Sequence, residues 1–164
     1  MVLTKWKLNV NFVRFDSTTR TKPKSMDYNL QRFKDAQSEN NTYKTALKEI
    51  GNGLKEGHWM WYIFPQLRGL GKSDIAMFYG IIGKGEAKAY LADKVLGSRL
   101  REISNSLIQV RGKSAADIFG PTDAKKLKSS MTLFYIVSGR EEVFRKVLAK
   151  YFDEKLDQKT LEML

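Results

Sequence analysis

The 164-residue sequence has no cysteine and a single histidine, His58. Without thiols the chain has no cysteine nucleophile, no disulfide framework and no thiolate metal site, and one imidazole with no clustered Asp/Glu motif makes poor material for another metal site. No run reaches the ~18 apolar residues that a membrane span requires, and the amino terminus lacks the unbroken apolar stretch of a secretory signal. These absences place the expected protein in the cytoplasm, with no membrane contact. Repeats are missing too, and no series of alternating strands appears, so neither a solenoid nor a sheet protein is expected.

What the chain does have is positive charge. There are 29 basic residues against 18 acidic ones, a net +11, which points toward nucleic acid or another polyanion. The distribution tempers that inference. Residues 1–25 hold six basic groups and one acid, leaving +5, and the remainder holds 23 against 17, leaving +6. The body of the chain is therefore only mildly basic. Its length suits one domain able to bury roughly 68–70% of the surface an unfolded chain exposes.

Residues 16–25, DSTTRTKPKS, have the polar, basic composition of a linker and offer almost nothing to bury. Upstream, KLNVNF alternates as a strand would, yet no later segment matches it as a partner. Residues 1–25 are thus expected to be a flexible basic leader outside the domain, with an organelle-targeting segment as the alternative. Met26, followed at once by a capping residue, is the expected start of the domain.

From Asp27 onward the pattern is helical. Asp27 is expected to cap a helix carrying Leu30, Phe33 and Ala36, and Asn41 or Thr42 a second one that stops at Gly51-Asn52-Gly53. Ser73 opens a segment with Ile75, Ala76, Phe78 and Tyr79. EAKAYLADKVL follows Gly85, and Ser98 is expected to start a helix with Leu100, Ile103, Leu107 and Val110. Ser114 and Asp117 form a capping box, Thr122 or Asp123 opens a long helix through Tyr135, and Val143 to Phe152 carries the last stripe. The expected fold is all-α: a single multihelical domain at 26–164, an irregular array of long and short helices.

Two stretches could carry chemistry. The first, GHWMWYIFPQLRGLGKS at 57–73, holds His58, Trp59, Trp61, Gln66 and Ser73. Its end resembles a phosphate loop, but Gln66 stands where the first glycine belongs and no buried strand precedes it. What survives is that Ser73, at a helix N-terminus, can hold one anionic group. The aromatic run can line a pocket with a polar rim or simply build the core. His58 is the candidate acid or base, with a structural histidine as the alternative.

The second stretch is DAKKLKSSMTLF at 123–134. At 100° per residue Leu127, Met131, Phe134 and Tyr135 share one face, while Lys126, Ser129 and Ser130 fall together on the adjoining sector. One ammonium and two hydroxyls at the edge of buried surface suit a phosphate or carboxylate. The alternative is a solvated edge whose serines bond back to the helix. A Lys126/Ser129 nucleophile pair would need an oxyanion hole that the sequence does not offer.

The blocks LQRFKDAQ (30–37), HWMWYIFPQLRGLGKS (58–73), AYLADKVLGSRLRE (89–102), IFG (118–120), LKSSMTLF (127–134) and the closing TLEML resemble, in order, the bacterial domain of unknown function 1810. The resemblance spans about 26–164 and implies a single multihelical domain, with no activity attached. Two positions depart from its pattern: Lys94 replaces the proline of ADPVLG, and Thr122 to Leu127 replaces PDDLKL, removing one carboxylate beside Asp123. The resemblance also singles out the two stretches as its distinctive blocks, which suggests that they meet. His58, Trp59, Trp61 and Gln66 would then form one wall, and Lys126, Ser129, Ser130 and Asp123 the other. The expected ligand is a phosphorylated or nucleotide-like small molecule, with no cofactor. The alternative is a non-enzymatic module that contacts protein or nucleic acid.

Overall fold

A computed structural model describes residues 26–164; the expectations for the leader at 1–25 lie outside the described residues. Over that range the chain forms α1 (Gln31–Ser38), a 3-10 turn (Glu39–Asn41), α2 (Thr42–Gly51), α3 (Met60–Ile63), α4 (Asp74–Tyr79), α5 (Lys84–Ala92), α6 (Lys94–Gln109), α7 (Ala115–Val137), α8 (Glu142–Phe152) and α9 (Gln158–Met163). The only extended pairing among the described residues is one parallel bridge between Leu67 and Ile81. The expected irregular all-α domain is what the chain forms.

α7 is the central element, packed against α5, α8 and α9, while α6 lies against α2, α5 and α8. The capping box is present: the Asp117 N–H donates to Ser114 Oγ at 3.1 Å and the Ser114 N–H to Asp117 Oδ2 at 2.8 Å. Within α7 the chain kinks at Gly120, whose φ of 78° and ψ of 165° suit a residue without Cβ. Pro121 follows, with no N–H to lose. The helix expected to open at Thr122 is therefore the second limb of this broken helix. Its buried face carries Leu127, Met131 and Phe134, as the spacing requires. Phe134 stands between Tyr90 and Phe144, with ring centroids at 5.3 and 6.1 Å. Each such fully buried side chain contributes about 1.5–3 kcal/mol.

Several helix starts differ from the sequence expectation. Asp27 caps no helix; it accepts the Asn29 N–H at 3.2 Å, and α1 begins later, with Leu30 at its N-cap. The segment EAKAYLADKVL is not one helix, nor does a helix begin at Ser98. Asp93 divides it, ending α5 and accepting the N–H groups of Val95 and Leu96, both at 3.0 Å, at the start of α6. With its backbone extended at ψ 128°, Asp93 takes two N–H groups of the first turn, and Ser98 falls inside the helix so started.

A buried ion pair ties the amino-terminal helix to the rest. Arg32 Nη2 lies 2.6 Å from Glu86 Oε1, and the same guanidinium donates to the carbonyls of Tyr28, Asn29, Phe78 and Gly80. Glu86 Oε2 accepts the Ile82 N–H at 2.7 Å. Charges this deep persist because they are paired with each other and each also bonds backbone groups, while the Phe33 ring covers the guanidinium, 4.2 Å from its centroid.

Candidate functional site

Glu49, near the end of α2 and 9% exposed, organises the approach to the aromatic stretch. Its carboxylate accepts the N–H groups of Glu56 and Gly57 and, at 2.7 Å, the Trp59 indole N–H. Burial opposes its charge, yet these donors, together with Lys55, hold the carboxyl below its ordinary value. Trp59 is thereby fixed in the core, where its ring meets Phe64 and Phe119.

The single turn α3 then directs Trp61 outward, half-buried. Lys126 Nζ, reaching across from α7, lies 5.2 Å from the Trp61 ring centroid, and Lys55 Nζ lies 5.1 Å from that of Trp59. Both ammoniums converge on Asp123, at 3.3 Å from Lys126 and 2.9 Å from Lys55. Asp123 is thus shared between two lysines, each also set on an indole face. Cation–π contacts of this kind are worth about 0.5–2 kcal/mol, enough to restrict where the Lys126 ammonium stands.

Beside Lys126 a groove of about 570 Å³ opens between the 66–71 loop, α7 and α9. Lys125, Lys126 and Lys128 of α7 and Lys159 of α9 line it, and Leu70 and Leu156 supply apolar wall. One carboxylate, Asp157, is present, and it is already engaged. Its Oδ2 accepts the Thr160 N–H and hydroxyl at 2.9 and 2.6 Å, which starts α9, while its N–H donates to Thr132 Oγ1 at 2.9 Å. Among the described residues only Lys126 of the four lysines pairs with a carboxylate. Four ammoniums against the Asp157 carboxylate in the lining and Asp123 beside Lys126 still leave the groove positive, and over low-dielectric walls that charge attracts anions.

The sequence-predicted residues fall into three groups. Gln66, Lys126 and Ser129 line the groove; Trp61 lines a small adjoining crevice with Gln66 and Lys126, and Asp123 holds Lys126 in place. Trp59 and Ser130 are buried in the core. Ser129 donates to the Lys125 carbonyl at 3.2 Å, back-bonding to its own helix, and Ser130 Oγ has no partner among the described residues. His58 and Ser73 are exposed and belong to neither lining. Ser73 Oγ accepts the Ala76 N–H at 3.2 Å, so the phosphate-loop-like fragment spends its hydroxyl on starting α4.

Sequence reasoning missed Lys125, Lys128 and the whole contribution of α9. Lys125 and Lys128 were legible as charges flanking Lys126, but not as groove residues. For α9 the signal was Asp157 three residues before Thr160, the spacing of an N-cap. Of the carboxylates in this charged stretch, Asp153 and Glu154 are exposed, whereas Asp157 is bonded at the groove. No group of three or more metal-ligating side chains occurs among the described residues, and no described helix is long and apolar enough to cross a membrane.

The family model described as protein of unknown function (DUF1810) matches residues 27–164. Among solved structures, the chain is similar to the crystal structure of the conserved hypothetical protein Rv1873 from Mycobacterium tuberculosis, with 46% identity and a TM-score of 0.79. The match covers 82% of this chain and 94% of that one. No curated protein matches the chain.

Proposed function

The chain belongs to the DUF1810 family, and we propose that its groove between α7 and α9 binds a phosphorylated, nucleotide-like small molecule. The observation that carries this reading is the set of four lysines around a groove with apolar walls, whose one lining carboxylate among the described residues caps α9. Lysines act on phosphate as point charges, and Leu70 and Leu156 provide surface for an apolar portion of the ligand. Lys126, restrained between Asp123 and the Trp61 ring, would meet the ligand with little further loss of side-chain freedom. No acid–base step is assigned, because the one histidine stands outside the groove lining.

The reading is tested by calorimetric titration of residues 1–164 with pyrophosphate and ADP, repeated on Lys128→Ala and Lys159→Ala. Each variant should bind about tenfold more weakly, the effect of losing one charge-assisted contact. Equal binding by wild type and both variants, or none by wild type, would overturn it. An interaction module is the second reading, favoured by four exposed apolar side chains close in sequence, Ile75, Met77, Phe78 and Ile82. A module of that kind would be indifferent to the lysine variants and sensitive to Phe78→Ser.

A further inference from the structure

A second cavity, of about 550 Å³, lies where α1 and α2 meet α6, and none of its lining residues belongs to the groove. Its charged groups are Lys44, Arg99 and Glu102. Arg99 and Glu102 sit three residues apart on α6, a spacing at which opposite charges ordinarily pair across a helix turn. Here they do not. The Arg99 guanidinium lies over the Tyr43 ring, 5.0 Å from its centroid, and donates to Gln37 Oε1 at 3.3 Å. Glu102 Oε2 instead accepts the Tyr43 hydroxyl.

The groups that hold the two charges apart are themselves buried and hydrogen-bonded. Gln37 is 1% exposed and Tyr43 7%, and Gln37 Nε2 donates to the Tyr62 carbonyl at 2.8 Å and to the Tyr90 hydroxyl at 3.1 Å. Burial, and then the Glu102 carboxylate, push the Tyr43 phenol well above its ordinary range, so it remains a donor at any physiological pH. The separated charges keep unused capacity. A guanidinium has five N–H groups, and Arg99 commits one of them; Glu102 Oε1 accepts no bond among the described residues.

We propose that this cavity binds a free α-amino acid, its carboxylate on Arg99 and its ammonium on Glu102. The two ends of a zwitterion require a guanidinium and a carboxylate that are near one another yet prevented from neutralising each other, and Tyr43 with Gln37 keeps them so. Leu47 gives the ligand's side chain an apolar surface, and Lys44 at the rim brings the site to two cations against one anion. That balance favours an acidic side chain, so L-glutamate is the probe.

Titration of the isotope-labelled full chain with L-glutamate, up to about 10 mM, should shift the backbone resonances of Tyr43, Lys44, Arg99 and Glu102. N-acetyl-L-glutamate and glutarate, which lack the ammonium, should each bind at least about tenfold more weakly. Glu102→Gln keeps an oxygen for the Tyr43 hydroxyl and should unfold with the wild type, yet bind L-glutamate no better than wild type binds the N-acetyl compound. Arg99→Lys should weaken all three ligands. The proposal fails if no resonances shift, if the shifts fall on α7 and α9, or if the three ligands bind wild type alike.

Discussion

Replacing Glu49 by alanine would remove the acceptor for three donors at once: the backbone N–H groups of Glu56 and Gly57 and the Trp59 indole, at 2.9, 3.1 and 2.7 Å. The two amides lie in a half-open loop and can turn to water, whereas Trp59 is 1% exposed and its N–H would be stranded. A stranded buried donor costs about 1–3 kcal/mol, and each lost bond to a charged acceptor about 1.5 kcal/mol before water compensates. The expected loss for Glu49→Ala is therefore about 3 kcal/mol, near 10 °C in Tm for a domain of this size. Glu49→Gln keeps one oxygen and should lose about half as much.

Acid separates the charge from the shape. The folded carboxyl lies below its ordinary value of 4.5, so its stabilisation is fully present above that value and is lost as pH falls through the lower, folded one. Urea unfolding followed by tryptophan fluorescence should give a gap between wild type and Glu49→Gln that is constant near neutrality and shrinks below about pH 4. A gap that stays constant down to pH 2.5, or a loss under 1 kcal/mol for the alanine variant, would refute the assignment of Glu49 as the organiser of the 55–59 loop.

Two further outcomes follow from the interior. Ser130→Ala removes a buried hydroxyl that lacks a partner among the described residues and should stabilise the protein by about 1 kcal/mol in urea unfolding, with anion binding in the groove unchanged; destabilisation would mean that the hydroxyl is bonded after all. Thr132→Val keeps the shape of a fully buried side chain but removes the acceptor of the Asp157 N–H. It should cost about 1–2 kcal/mol and speed hydrogen exchange across α9 while that of α6 and α8 stays slow. Unchanged exchange in α9 would show that Thr132 does not anchor that helix.

The sequence alone determined the fold class, the apolar face of the 127–134 block and the caps at Ser73 and Ser114, because each depends on neighbours within one or two turns. A 3.6-residue stripe such as Leu127, Met131 and Phe134 must find a core whatever lies opposite. Asp93 shows where local reading failed: an aspartate inside an apparently helical run can be paired with a solvent cation or can divide the run, and its bond to Lys34, from another helix, belongs to neither flank.

The expected site was legible in part for the same reason. Lys126 and Ser129 share a helix face by arithmetic, but whether that face meets solvent, core or groove depends on α9, which arrives from about thirty residues away. Only tertiary structure decided that Ser130 points into the interior, that Trp59 is taken by Glu49 while Trp61 is left for Lys126, and that His58 stands apart. Arg99 and Glu102 make the point most simply. Their i,i+3 spacing predicts a pair, and two residues of other helices, Gln37 and Tyr43, keep them separate. Spacing along one helix sets which side chains are neighbours; the partners brought by other helices set which of those neighbours remain free to bind something else.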